Sequence, residues 1–542
     1  MERKSLIIIL ILSFALQFGN VFAQTEGKSD TLFCGHRVVL DNQGKLLPWY
    51  FPQDKAYDHF LNLRWDFIKT KVPNSPGPGT RSNYPQYYFY CGFKNNIVAD
   101  YDTWMNDVGE KIPNWFENAR LYYAYTGDTS VMAIVKGMID YCLSYGTSPE
   151  SFAWPNFPYT TTNAGDTIFQ GFTSASRLQL HEIQVDHAGE MGLTYYRMYL
   201  FSGEKKYLDA ALNVAGVLAS FARTGTAEKS VWPYRVIIKD GSITAEYGAN
   251  WTGCYMLFDN LIKAGLGDIN KYSDARNKVK NFILEFPVKT GYWTDGHSDT
   301  DVKSNTYKSN LSASNMVLCM FDFPELNPEW KSDIPKLIKW TEDYFVFRSA
   351  PGEPSTMWGA NIVGEQDIFM HKMDYQTARY AAECARWYAI SADESYREKA
   401  YRALNWVTYC NNSEGMAFES PVSKGISTWW SDCYGECPRM FYHVFAAVPE
   451  WAPAAENHIL YSEGILKNVE YGKQKVVYTA TKINDTEYLR LAFKPSVITL
   501  NGNKIPLTKK LNKEGFTLRN LENGDFAIAI KRVSAGKVII EK

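Results

Sequence analysis

The segment His181-Glu182-Ile183-Gln184-Val185-Asp186-His187-Ala188-Gly189-Glu190 puts three carboxylates and two imidazoles within ten residues. Asp186 and Glu190 are four apart, which sets both on one face of a helix. Two carboxylates on one face can divide proton work, one donating while the other accepts or attacks. Asp186 also suits a helix N-cap or first turn, where it would satisfy backbone amides instead. Glu182, His181 and His187 surround the pair as polar contacts for whatever is bound. No HExxH spacing accompanies the histidines, so no metal is assigned to them.

A second cluster is Trp429-Trp430-Ser431-Asp432-Cys433-Tyr434-Gly435-Glu436-Cys437-Pro438-Arg439. Asp432 and Glu436 repeat the four-residue spacing, and the paired tryptophans can floor the flat apolar face of a ring. Cys433 and Cys437 read as a one-turn disulfide or as two buried thiols. A zinc thiolate site would need further ligands; Glu436 is at hand, but no third local cysteine is. Asp374, within His371–Gln376, is a third acid opening an apolar helical run. Trp293 and His297 in a polar loop, Asn250-Trp251, Trp115 and Arg177 complete the candidate contacts. The expected catalytic set is therefore Asp186, Asp374, Asp432, Glu436 and Glu190. The expected binding set is Glu182, His181, His187, Arg177, Trp115, Asn250, Trp251, Trp293, His297, Trp429 and Trp430, with no metal and no cofactor.

These residues need elements to hold them. Five short turns, at Thr126-Gly127-Asp128, Ser202-Gly203-Glu204, 267–270, Leu326-Asn327-Pro328 and Ser391-Ala392-Asp393, recur along the chain, each between two helical stretches. That is a helical-hairpin repeat. Inner helices, apolar on most faces, are predicted at 114–125, 186–201, 249–264, 311–323, 373–390 and 432–447. Outer helices with a polar stripe are predicted at 130–145, 205–223, 274–285, 330–344 and 394–410. A further helix at 55–70 supplies the missing outer partner and would close a ring. The expected fold is an (α/α)6 toroid; an open solenoid would need capping ends. Connections from outer to inner helices are long, so the functional loops gather where the inner helices begin. After Pro453 the pattern changes to short alternating runs with turns at Asn501-Gly502 and Asn523-Gly524, a small C-terminal antiparallel β domain.

The chain has 542 residues, 57 basic and 59 acidic, for a net charge of −2. Such a balance gives no field for nucleic acid. Arg3 and Lys4, an apolar run over 6–18 and Val21-Phe22-Ala23 read as a signal peptide, 1–23, with export to the periplasm or medium. Gln24 follows, so no lipid anchor is implied, and no later run is apolar enough to insert in a membrane. The divisions expected are 24–455 for the ring and 456–542 for the β domain. Aromatic residues make up 15% of the chain. Nine cysteines are scattered, and Cys142, Cys254, Cys319 and Cys384 lie in apolar helical runs as core residues.

Carboxylates converging on the mouth of a ring suit cleavage of a glycosidic bond, one acid protonating the leaving oxygen and a second carboxylate activating water or attacking. The hairpin repeat, the turns Tyr125-Thr126-Gly127-Asp128 and 201–207 (FSGEKKY), and a helical ring followed by a short β tail resemble the six-hairpin glycosidases exported by polysaccharide-degrading Bacteroidetes. The resemblance covers about residues 50–542. It implies a carbohydrate substrate and hydrolysis, with lyase or epimerase reactions in some branches. The stretch 432–439 is faintly similar to the cysteine-rich zinc segment of β-L-arabinofuranosidases, without its adjacent cysteines. A uronate lyase, using groups such as His187, Tyr247, Asn250 and Arg177, is the alternative activity. A glycan-binding protein without catalysis is the other.

Overall fold

We describe the protein from a computed structural model covering residues 32–72, 92–94, 107–163, 166–171, 179–294, 308–348, 357–367, 370–419, 428–430 and 432–542, backbone only at 92–94, 428–430 and 432. The expected signal segment, Arg177 and His297 lie outside the described residues, as do the side chains of Trp429, Trp430 and Asp432.

Twelve α-helices are described: α1 Ala56–Lys71, α2 Val108–Thr126, α3 Ser130–Tyr145, α4 Val185–Ser202, α5 Lys205–Phe221, α6 Thr252–Lys263, α7 Ile269–Ile283, α8 Asn310–Asp322, α9 Trp330–Tyr344, α10 Asp374–Ser391, α11 Glu394–Thr408 and α12 Asp432–Ala447. Even-numbered helices form the inner wall. Each packs on the next, and α12 packs back on α2. The ring is closed, and α1 occupies the outer position against α11 and α12. This is the (α/α)6 toroid.

Sequence pattern sets each layer. Outer helix α7 buries Tyr272, Ala275, Val279, Phe282 and Ile283, a single stripe at helical spacing, and gives its other face to water. Inner helix α10 is buried almost continuously from Asp374 to Ala385. Three of the five short turns close their hairpins by one device. Gly127, Gly203 and Ala392 all adopt left-handed backbone, with φ of 80°, 78° and 57°, and return their N–H to the carbonyls of Tyr123, Tyr199 and Tyr388. Two helices begin well before the pattern predicts, α2 at 108 against 114 and α7 at 269 against 274. Proline at 113 lies inside α2, in its second turn, where it removes one helical hydrogen bond. The start of α7 is fixed by Asp268, whose side chain accepts from the Lys271 amide as an N-cap.

The C-terminal region forms two antiparallel sheets from β1 His458–Tyr461, β2 Leu466–Gly472, β3 Lys475–Ala480, β4 Asp485–Leu491, β5 Val497–Leu500, β6 Asn503–Lys504, β7 Gly515–Asn520, β8 Phe526–Arg532 and β9 Gly536–Glu541. Their orders are β1-β4-β8-β7 and β2-β3-β9-β5-β6. Strand β1 packs against α2 and α12. At the opposite end of the ring, the long loops pair with one another. Gly92–Lys94 pairs with Thr428–Trp430, and Glu182–Gln184 joins Arg235–Ile237 and Ser242–Ala245 in a three-stranded sheet. The latter sheet leads directly into α4 and fixes the start of the His187–Glu190 turn.

Candidate active site

A cavity of about 120 Å³ runs along the ring axis. Its upper wall comes from the first two turns of the inner helices, including Glu110 and Asn114 of α2, His187 and Glu190 of α4, Asn315 of α8 and Arg379 of α10. Asn250, just before α6, lies between them. Three glycines let these helix starts come together. A β-carbon on Gly189 would strike Cys254 Sγ, one on Gly253 would strike Glu190 Cγ, and one on Gly109 would lie 2.8 Å from His187 Cβ. Only glycine permits such an approach.

One polar belt crosses this level of the ring. Asn250 Nδ2 makes long contacts of 3.4 Å with both Asp186 Oδ2 and Glu190 Oε1. The two carboxylate oxygens are thus no more than twice that distance apart. Asn315 Nδ2 donates to Asn250 Oδ1 at 3.1 Å, and Arg379 Nη1 donates to Asn315 Oδ1 at 2.6 Å. Arg379 Nε donates to Glu436 Oε1 at 2.5 Å. The direction is forced. Guanidinium donates only, so it takes the amide oxygen of Asn315; the chain then ends with the Asn250 amide nitrogen facing the carboxylates.

Charge states follow from burial and neighbours. Burial raises the pKa of the Glu190 carboxyl above the ordinary glutamate range, against the lowering pull of His187, Arg439, Arg379 and the Asn250 amide. For His187, burial opposes the charge, but Asp186, Asp107 and Glu110 together raise its pKa well above the usual imidazole value. Its Nδ1 lies 3.4 Å from Asp107 Oδ1. The site therefore juxtaposes a carboxyl that resists ionisation with an imidazolium held by acids, a pairing suited to proton transfer.

The lower cavity is a charge network. Glu117 accepts from Arg120 Nε at 2.8 Å and from Arg197 Nη1 at 2.6 Å. Despite burial, Arg120 and Arg197 pull its carboxyl down to about 2. Glu463 of the β1–β2 connection pairs with Arg197 and Lys482 and forms part of the floor. His443, further along α12, is pushed well below the usual imidazole value by burial, Arg386 and Arg439, and its Nδ1 accepts from Arg386 at 3.1 Å.

Of the expected residues, His187, Glu190 and Asn250 line the cavity together. Asp186 touches Asn250 behind them, and Glu436 pairs with Arg379 behind the far wall. The others are placed elsewhere. Asp374 is fully buried, with Oδ2 2.9 Å from Arg64 Nη2. Burial raises its pKa, with Arg64 and the Cys433 and Cys437 thiols opposing. The Arg64 guanidinium also donates to the Cys433 and Cys410 carbonyls, so these groups form a structural knot. Cys433 and Cys437 are buried free thiols, as are Cys142, Cys254, Cys319 and Cys384. Trp115 packs edge-on to Trp65; Trp251 tilts against Trp232 and donates to Gly248 O; Trp293 is 1% exposed. These three are core. Glu182 accepts from the Gln179 amide at 2.6 Å and from Thr244, which ties the mouth sheet. His181 takes left-handed backbone, φ 66°, with Nδ1 2.9 Å from Tyr159 Oη. Cavity residues absent from the expected set include Glu110, Asn315, Arg379 and Arg439. Their signal is a single polar residue one or two turns into an otherwise apolar inner helix.

No family model and no curated protein matches the chain. Solved structures do. Cellobiose 2-epimerase from Spirochaeta thermophila superposes with a TM-score of 0.52 at 9% identity, over 72% of this chain and 94% of its own. A D-mannose isomerase gives 0.50 at 12%, over 74% and 99%. A family 76 glycoside hydrolase from a bovine Bacteroides thetaiotaomicron strain gives 0.47 at 12%, over 73% and 78%. At such identities the likeness is one of fold alone.

Proposed function

We propose that this chain is a glycoside hydrolase that takes the end of an oligo- or polysaccharide into the ring cavity and cleaves it by carboxyl acid–base catalysis. The observation that carries this reading is Glu190: a half-buried carboxyl with a raised pKa, opening on the cavity and sharing an amide with a second carboxylate. A carboxyl whose pKa is raised keeps its proton to higher pH than an ordinary glutamate, which suits it to protonate a leaving oxygen. Glu110, in the first turn of α2 and on the cavity, is the carboxylate to test as the group that activates water or attacks, while Asp186 holds the Asn250 amide from behind. His187, Asn250, Asn315 and Arg379 would hold sugar hydroxyls. In this reading residues 24–455 are the catalytic unit, 456–542 a packing module, and the protein works after export.

The test is a glycan panel with product analysis on wild type and Glu190→Gln. Loss of a positioned acid costs roughly 100- to 10,000-fold in rate, with the melting point retained. Unsaturated uronate products would replace this reading by a lyase, products of unchanged mass by an epimerase. Binding without any product would leave a glycan-binding protein.

A further inference from the structure

Arg439 is a cavity cation with too little counter-charge. It stands on α12 and lines the cavity beside Arg379. Its nearest acid is Glu436 Oε1 at 3.9 Å, an oxygen that already accepts from two nitrogens of Arg379. The other cations of the cavity are matched: Arg120 with Glu117, Arg197 with Glu117 and Glu463, Arg379 with Glu436. Arg439 Nε is buried and has no hydrogen-bond partner among the described residues. Its remaining neighbours cannot supply the missing charge. Glu117 is shared by two arginines, Glu190 is biased towards its neutral form, and His443 is neutral beside Arg386. Consistently, burial and the adjacent Arg379 pull the Arg439 guanidinium down to about 10. A fork of donors that is 17% exposed and faces a cavity is a site for an oxyanion.

We propose that Arg439 is an anion-binding subsite, so that the sugar taken by this cavity carries a carboxylate or a sulfate. This deepens the carbohydrate reading above and rests on it. The anion would complete the charge balance of the α10–α12 wall, and a neutral sugar would leave it incomplete. Discrimination then comes from the neutral competitor's failure to pair a buried group.

Calorimetric titration of the whole protein with D-glucuronate, D-glucose 6-sulfate and D-glucose tests this without requiring turnover. Wild type is expected to bind one of the two acidic sugars at least tenfold more tightly than glucose, and which one identifies the anion. Arg439→Met is expected to lose that preference, and Arg439→Lys to recover part of it. Circular dichroism establishes that each variant is folded. Equal affinity for glucose and both acids in wild type, or a preference surviving in Arg439→Met, overturns the subsite alone. Failure of all three sugars to bind overturns the subsite and the carbohydrate reading together. Acid preference with no cleavage of any glycan keeps the subsite and removes the hydrolase.

Discussion

A carboxyl buried in a ring of helices declares itself through pH. Glu383 of α10 lies behind the cavity wall, fully buried, and accepts from Ser314 on α8. Burial lifts its carboxyl to about 7, with Ser314 and Arg379 pulling the other way. The native state thus holds a proton that the unfolded chain has already released above about 4.5, the ordinary glutamate value. Stability must fall as pH rises between those values and stay low beyond them. Glu383→Gln keeps an acceptor for Ser314 and removes the ionisation. It should be more stable than wild type by up to roughly 3 kcal/mol at pH 8 and nearly equal at pH 4.5, read from urea midpoints. The same difference at both pH values would show that Glu383 is not held protonated. Residues of this kind are the least legible in sequence. Arg379, Glu383 and Arg439 each look like a stray polar residue in an apolar helix, and nothing in spacing says whether it meets a partner, a cavity or neither. The prominent tryptophans mislead in the opposite direction: Trp115, Trp251 and Trp293 fill the volume between helices instead of lining the cavity.

Helices were legible because their periods are strong, and the closing role of α1 followed from counting inner against outer members. Their ends were less so, since Pro113 and Asp268 act through local geometry that a pattern does not contain. Also hidden were the glycines that set how closely helix starts approach. Gly253 is one of these, sitting against the Glu190 side chain at the α4–α6 crossing. Alanine there must move the carboxyl away from its place on the cavity. For a positioned acid, a displacement near 1 Å can cost about 100-fold. Gly253→Ala should therefore lower kcat by at least about tenfold on whichever glycan is cleaved, with a smaller change in KM. The control is Gly216→Ala in α5, where a β-carbon meets nothing within 4 Å. That change should leave kcat alone and add about 0.5–1 kcal/mol of stability through helix propensity. Equal kcat in the two variants would mean that the crossing does not position Glu190.

At the scale of the molecule, the β region completes the ring floor. Arg120 Nη1 donates to Ser462 O at 2.8 Å, Tyr461 Oη donates to Asp322 Oδ2 at 2.6 Å, and Arg197 reaches Glu463 from inside α4. Glu463 is only 6% exposed, and its carboxyl is held down at about 2: burial raises it, and Lys482 and Arg197 outweigh that. Removing Glu463 leaves Arg197 with Glu117 alone and takes away the ion-pair partner of Lys482. Breaking a buried pair of this kind costs about 3–5 kcal/mol, because a desolvated charge remains. The ring and the sheets share these ions, so neither can open without exposing them to the other's loss. Calorimetric unfolding should accordingly show one transition for both regions, and Glu463→Ala should lower it as a whole by about 3 kcal/mol. Two separate transitions in wild type, or a Glu463→Ala shift confined to one of them, would make the β region an independent neighbour and not the floor of the cavity.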